Sequence, residues 1–249
     1  MSAADCIRSL ARCGDERVRL VCFPHAGAGA SIYHAWSNHL PSWVGIYGVQ
    51  LPGREERINQ APVTAWQPLV DEIIAVLAGW DDTPFIFYGH SLGGLLAYEV
   101  ASGLQRAGLP GPRILFAGGA YAPSAVCKEK TRFNDEAGLM DAVRRLGGVN
   151  DAVMQDQDFI QHFMPVIAAD FTLFNRYTPA VVQVPLDCPV VALFGSFDED
   201  HDREGAMRWR EHTRGRLYVH EVAGGHFFHR ESAAQTLDVV KRFATAGGW

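Results

Sequence analysis

Continuous apolar runs recur along the chain, and stretches with helical spacing of apolar residues separate them. The runs lie at residues 19–23, 45–51, 84–89, 113–120, 189–195 and 216–225, and the clearest helical stretches at 66–80 and 95–108. A run that is apolar throughout, rather than at alternate positions, is typical of a strand buried on both faces of a sheet. The pattern therefore predicts an α/β fold, with a mostly parallel sheet and helices on both faces.

The alternation stops between residues 121 and 187, where helical patterns appear at 136–148 and 159–177. Parallel-sheet folds place their sites at the carboxyl ends of the strands, and enzymes often cover such sites with a mobile insert. We expect a single domain over residues 1–249, with a helical lid insert at about 122–186. The alternative is that these segments are ordinary packing helices.

Composition limits the class of protein. A chain of 249 residues that is 48% hydrophobic suits one domain with a large core. The net charge of −6 argues against a nucleic-acid partner or an anionic membrane surface.

The five cysteines contain no CxxC pair, so we expect reduced thiols in a cytoplasmic protein. With no signal-peptide pattern and no apolar run of about 18 residues, we expect no membrane contact. We also expect a monomer.

The segment "GHSLG" (89–93) joins an apolar run to a helical stretch with no loop between them. The pattern G-x-S-x-G is only moderately specific, but a position between strand and helix is that of a nucleophile elbow. The glycines two residues before and after the serine permit a strained turn that exposes its hydroxyl. The sequence therefore predicts that Ser91 is a catalytic nucleophile.

A serine nucleophile needs a histidine base and an acid that orients it, and in this arrangement they follow in the order Ser, acid, His. His226 follows a strand-like run and two glycines and precedes the last helix, so it is the predicted base. His229 is its nearest rival. Four acidic residues follow the run at 189–195, and Asp198 is the closest to its end. We therefore predict Asp198 as the acid and expect the other three to be solvated.

The loop "FPHAGAGA" (23–30) follows the first apolar run, where this arrangement takes the second donor of an oxyanion hole. We predict that the backbone N–H groups of Ala26 and Leu92 form that hole. A dinucleotide fingerprint fails here, because Ile32 stands where a third glycine is needed and Gln50 where an acid is needed. The segment around His220 is not HExxH, so no metal site is predicted.

Five segments now occur in a characteristic order: "FPHAGAGA", "VQLPGREER", "YGHSLGG", "DCPVVALFGSFD" and "AGGHFF". Together they resemble the type II thioesterases that accompany modular polyketide and nonribosomal peptide synthetases. The resemblance covers about residues 18–244, and "QLPGRE" (50–55) and "GGHFF" (224–228) are its most specific parts. One departure is that the family's Gly-Asp-x-Asp-Pro at the acid reads Gly-Ser-Phe-Asp-Glu here, which keeps Asp198 but lacks the proline.

The resemblance implies an α/β-hydrolase fold with a helical lid and the same triad and oxyanion amides. It also implies hydrolysis of unwanted acyl groups from the phosphopantetheine arm of acyl or peptidyl carrier proteins, with no cofactor. In the insert we expect Phe163, Met164, Ile167 and Phe171 to form an apolar face that borders the acyl site. The alternative is that this face packs wholly inside the lid.

Two other functions stay open at this point: a small-molecule esterase or peptidase of the same fold, and a non-catalytic binding protein of that fold. Carrier proteins are acidic, so a basic patch on this chain could dock them. One candidate patch is the segment "KEKTR", with Lys128, Lys130 and Arg132. Arg54 and Arg57 are the other, although a structural role in their turn is favoured for both.

Overall fold

A computed structural model describes residues 6–11, 14–126, 136–146, 156–179 and 184–246 of the chain. In this part, seven strands form one sheet in the order β1-β3-β2-β4-β5-β6-β7. The strands are β1 Ile7–Ala11, β2 Val18–Phe23, β3 Val44–Val49, β4 Phe85–His90, β5 Leu115–Gly118, β6 Val190–Gly195 and β7 Leu217–Val222. All neighbouring strands are parallel except β1 and β3.

The described helices alternate with the strands as predicted. They are α1 Trp66–Leu77, α2 Leu92–Arg106, α3 Glu136–Leu146, α4 Gln157–Arg176, α5 Arg203–Met207, α6 Phe228–Glu231 and α7 Ala233–Ala246. Short 3-10 helices lie at Ala30–Asn38, Glu55–Arg57 and Arg208–His212. None of the described helices is long and apolar enough to cross a membrane.

The five inner strands of the sheet are almost entirely buried, which explains their unbroken apolar runs. All six residues of β4 are buried, and so are all six of β6. On one face, Phe87 and its neighbours pack against α1 and α2; on the other, Ile86 packs with α7 and with Tyr33 of the first 3-10 helix. The predicted mostly parallel α/β fold is therefore confirmed.

Strand β1 was not predicted, because it lacks the signal that reveals the others. It is an antiparallel edge strand that pairs with β3 alone, in a register interrupted between Ser9 and Ala11. Ile7 is its one buried residue, and Arg8 forms an ion pair with Glu56 at 2.8 Å. An edge strand with one covered side does not require a continuous apolar run.

The starts of two helices can be compared with the prediction. Helix α1 begins at Trp66, as predicted. Helix α2 begins at Leu92, directly after the nucleophile candidate Ser91, rather than at Leu95.

The helices of the predicted lid, α3 and α4, lie between β5 and β6 in the chain. Helix α4 is fixed to the rest of the fold at its carboxyl end. The Trp66 indole N–H donates to the Leu173 carbonyl at 2.7 Å, and the Tyr177 hydroxyl donates to Glu99 at 2.6 Å. Action as a lid stays a prediction, and the basic cluster at Lys128 lies outside the described residues.

Candidate active site

The chain makes a strained turn at Ser91, where β4 passes into α2. Ser91 has φ 53° and ψ −120°, in the left-handed region that side chains rarely adopt. A side chain at Gly89 would collide with the Gly93 carbonyl, and one at Gly93 with the Phe23 carbonyl at the end of β2. The small residues therefore allow strand, helix and β2 to meet at this turn. The Ser91 hydroxyl makes no capping bond to α2, although it stands at the N-cap.

Asp198 and His226 are brought together from the ends of β6 and β7. The Nδ1 atom of His226 lies 2.8 Å from Oδ2 of Asp198, and the side chains are 4% and 1% exposed. Since a carboxylate only accepts, this Nδ1 carries the proton and Nε2 has a free lone pair. That is the tautomer a general base requires.

His201 is a second histidine on Asp198. Its Nδ1 lies 3.4 Å from the carboxylate, and the backbone N–H of Asp200 donates to the same group at 3.1 Å. Burial acts to raise the pKa of Asp198, but the hydrogen bonds from His201 and His226 outweigh it and hold the pKa well below its ordinary value. The acid therefore stays ionised throughout the neutral range.

His90, next to the nucleophile, is hydrogen-bonded to the backbone of His226. Its Nε2 lies 2.7 Å from the His226 carbonyl and must be the donor, because a carbonyl only accepts. Nδ1 is then the acceptor for the Tyr88 hydroxyl at 3.2 Å. This chain of bonds links the turn at Ser91 to the loop that carries His226.

His25, His90 and His229 form a layer of packed rings next to His226, in which His90 and His229 are buried and His25 is half-buried. The rings of His90 and His229 are 3.8 Å apart between centroids. Burial lowers the pKa of His25 to about 3 and lowers those of His90 and His229 well below the ordinary value. Neither ring nitrogen of His229 has a hydrogen-bond partner within the described residues, so no acid orients this rival base.

The loop after β2, residues 24–31, is named here the oxyanion loop because it contains Ala26. The two amides that follow Ala26 are engaged: Gly27 N donates to Asp170 at 2.7 Å, and Ala28 N to the His25 carbonyl at 3.1 Å. The close packing of Gly93 on the end of β2 brings the start of this loop near Leu92. The roles of Ala26 and Leu92 as oxyanion donors stay predictions.

The four residues predicted to border the acyl site differ in their surroundings. Met164 and Ile167 are buried against α3, and Phe171 packs at the edge of the same cluster. Phe163 is 52% exposed. Only Ile167 also approaches the oxyanion loop, where its Cγ1 lies 2.7 Å from the position of a Cβ added at Gly27. Contact of these residues with an acyl chain stays a prediction.

Arg54 and Arg57 do not form a basic docking patch. They are 5% and 6% exposed, and each is paired with an acid: Arg54 with Asp170 at 2.7 Å and Arg57 with Glu72 at 2.8 Å. The structural role favoured for them is therefore confirmed.

One set of described residues has the donors of a metal site. One ligand atom from each of Asp198, His201 and His226 lies within 4.8 Å of the others. Two histidines and a carboxylate can bind zinc. Here both imidazole Nδ1 atoms face the carboxylate as hydrogen-bond partners, which is the arrangement of an acid that orients a base.

Sequence reasoning missed three residues around the site: His201, His90 and Asp170. His201 lies three residues after the acid, a spacing that places it beside Asp198. His90 occupies a variable position of the G-x-S-x-G motif. Asp170 has the clearest signal, since it is a lone acid in the apolar stretch "PVIAADFTLF" and a buried charge needs a partner.

Comparison with known proteins gives consistent matches over most of the chain. A family model described as "Thioesterase domain" matches residues 18–244. The "Probable cadicidin biosynthesis thioesterase" of Streptomyces griseus is 35% identical over 225 residues, which are 90% of this chain and 61% of that protein. This chain thus spans about three fifths of that relative's length.

Two solved structures share the fold. The RedJ thioesterase from the prodiginine biosynthetic pathway in Streptomyces coelicolor has a TM-score of 0.84 and 33% identity, covering 91% of this chain and 85% of RedJ. The type II thioesterase BorB from the borrelidin biosynthetic cluster has a TM-score of 0.82 and 28% identity, covering 95% of this chain and 96% of BorB.

The first prediction concerns the acid. Asp198→Asn should lower kcat on a chromogenic p-nitrophenyl ester by a factor on the order of 10⁴, because His226 loses its preferred tautomer. Asp200→Asn is the control, since the Asp200 contact to Asp198 is made by its backbone N–H. A larger loss in Asp200→Asn than in Asp198→Asn would refute the assignment.

The second prediction concerns pH and stability. A histidine that is neutral when folded takes up a proton on unfolding once the pH falls below its unfolded pKa of about 6.5. Such a histidine therefore leaves the free energy of unfolding unchanged above that pH. Below it, the histidine lowers the free energy of unfolding by about 1.4 kcal/mol per pH unit. His229→Leu should reduce the slope of unfolding free energy against pH by that amount between pH 6 and 4.5, as measured by urea denaturation. An unchanged slope would show that His229 is not held neutral.

Proposed function

The chain belongs to the thioesterase family, and we propose that it is a type II thioesterase that removes acyl groups from carrier proteins. The acyl groups would be aberrant or stalled intermediates on the phosphopantetheine arm of a polyketide or nonribosomal peptide synthetase. Its similarity to BorB and to RedJ, both from biosynthetic pathways, supports this assignment. We propose that it works in the cytoplasm as a monomer.

The observation that carries the proposal is the Asp198–His226 hydrogen bond of 2.8 Å, linked through His90 to the strained turn at Ser91. A binding protein has no need of a histidine held in one tautomer by a buried acid, or of a serine at a strained strand-to-helix turn. A serine hydrolase requires both features. The arrangement therefore favours catalysis over simple recognition.

In the acylation step, the Ser91 Oγ attacks the thioester carbonyl while Nε2 of His226 accepts its proton. A C–O bond to the serine forms, and the carbonyl π electrons move to oxygen. When the carbonyl re-forms, the C–S bond breaks, the sulfur takes the proton from Nε2 of His226, and the thiol leaves with His226 neutral again. Because the pKa of a thiol is about 8.5, this proton transfer need not be complete when the C–S bond breaks.

The negative oxygen of the tetrahedral intermediate would accept hydrogen bonds from the amides of Ala26 and Leu92. Leu92 begins α2, so the positive end of the helix dipole adds to its donor. Loss of one such donor costs about 2.7–4 kcal/mol of transition-state stabilisation in a serine protease.

In the deacylation step, water attacks the acyl-Ser91 ester while His226 again acts as base. The serine leaves with the proton that His226 returns to it, and the carboxylic acid is released. Asp198 stays ionised throughout and stabilises the imidazolium that forms in each step. The chemistry uses no cofactor.

The third prediction tests the substrate class. The enzyme should hydrolyse an acyl-carrier protein and the matching acyl-pantetheine thioester faster than an oxygen ester with the same acyl chain. Ser91→Ala should lose several orders of magnitude in kcat on every substrate. Ser196→Ala is the control, because Ser196 is an exposed serine on a neighbouring loop.

Each alternative function gives a different result. A preference for the oxygen ester would indicate an esterase. No turnover of any of the three substrates by the wild-type protein would indicate a binding protein. Full activity in Ser91→Ala would refute the nucleophile assignment.

A further inference from the structure

The block "QLPGRE" (50–55) takes no part in the chemistry described so far, yet its polar side chains reach the oxyanion loop. The Oε1 atom of Gln50 accepts a hydrogen bond from Ala30 N at 3.0 Å. The guanidinium of Arg54 donates to the Ala28 carbonyl at 3.3 Å. These two side chains therefore hold the second half of the loop from the side of β3.

Glu55 makes the third contact of this block at a conformational cost. Its carboxylate accepts a hydrogen bond from the Ser31 hydroxyl at 2.6 Å, at the end of the loop where the 3-10 helix begins. Glu55 has φ 47°, a conformation that costs a non-glycine residue about 1–3 kcal/mol. Strain of this kind persists where the surrounding structure requires it.

Helix α4 holds the first half of the loop from the opposite side. The carboxylate of Asp170 accepts a hydrogen bond from Gly27 N at 2.7 Å. The same carboxylate forms a two-pronged pair with Arg54, at 2.7 and 2.9 Å. Asp170 is 2% exposed and Arg54 is 5% exposed. One buried carboxylate thus binds the loop amide next to Ala26 and the arginine that holds Ala28.

Direct packing reinforces this link between helix and loop. Gly27 has φ 79°, and a Cβ added there would lie 2.7 Å from Cγ1 of Ile167, one turn before Asp170 on α4. The loop backbone therefore lies directly against the helix. Helix α4 cannot shift relative to the sheet without breaking the contacts that fix Gly27.

We infer that Asp170 is a positioning residue, through which α4 holds the oxyanion loop in the geometry that stabilises the transition state. This inference rests on the proposed function of Ser91 and Ala26. It makes the oxyanion hole dependent on the position of α4. A movement of α4 that separates Asp170 from Gly27 and Arg54 lowers activity while the Asp198–His226 pair stays intact.

A second buried arginine of this turn supplies a matched control. Arg57 pairs with Glu72 of α1 at 2.8 Å, and their side chains are 7% and 27% exposed. This pair stabilises the same turn, but its hydrogen bonds run to Gln50 O and Gln60 and not to residues 24–31. Glu72→Gln therefore perturbs the turn without removing a contact to the oxyanion loop.

The fourth prediction is that Asp170→Ala lowers kcat for acyl-pantetheine hydrolysis by about 10²–10³, the effect of losing one oxyanion donor. KM should change by less than about threefold, because the ground-state contacts remain. Asp170→Asn should lose less, since its amide oxygen can still accept from Gly27 N while the charge pair with Arg54 is lost. Glu72→Gln should keep kcat within about threefold of the wild type.

A second readout separates positioning from a loss of folding. The affinity for an alkyl boronic acid, which forms a tetrahedral adduct with the serine, should fall in Asp170→Asn and Asp170→Ala by the same factor as kcat/KM. The inference would be overturned if the Asp170 and Glu72 variants lost the same amount of activity. It would also be overturned if the kcat loss of the Asp170 variants disappeared at a low temperature, where the variants and the wild type are all fully folded. Wild-type protein that hydrolyses no thioester would instead overturn the proposed function on which the inference rests.

Discussion

The sharp turn at Ser91 is the constraint on which the rest of the site depends. Strand β4 enters α2 with no loop, so the residue between them adopts φ 53°, and the residues two positions away on either side, Gly89 and Gly93, must lack side chains. The turn places a serine hydroxyl and the first helix amide at the same edge of the sheet. Because β2, β6 and β7 run parallel to β4, their carboxyl ends and the following loops meet at that edge. The proposed base, the proposed acid and the oxyanion loop are thereby supplied by separate segments of the chain.

Those separate segments are held by buried polar contacts that depend on each other. His90 bonds the turn at Ser91 to the His226 backbone, Asp198 bonds the His226 ring, and Asp170 bonds α4 to the oxyanion loop. Burial makes each contact more specific, because an unpaired polar group in the interior is costly. It also makes the site sensitive to acid, since the histidine layer is neutral when folded and becomes charged when the chain unfolds.

Sequence patterns predicted two kinds of feature: those set by residues close together in the chain, and those set by many residues at once. The doubly covered strands gave continuous apolar runs, and the turn at Ser91 needs glycines that are visible in the sequence. The choice of Asp198 and His226 followed from their places after strands, and the structure joins the two by a hydrogen bond. Strand β1 was missed because a one-sided edge strand carries no such run. The contact of His201 with Asp198 and that of Asp170 with Gly27 depend on how loops and helices pack in three dimensions.

The central claim is that Ser91 carries the acyl group during turnover. The most direct measurement is rapid chemical quenching of the enzyme with an acyl-pantetheine thioester, followed by mass spectrometry of the intact protein and its peptides. The account predicts one added acyl group on the peptide that contains Ser91, formed with a burst of free thiol, and neither adduct nor burst in Ser91→Ala. An acyl group on another residue, or steady turnover by Ser91→Ala, would contradict it.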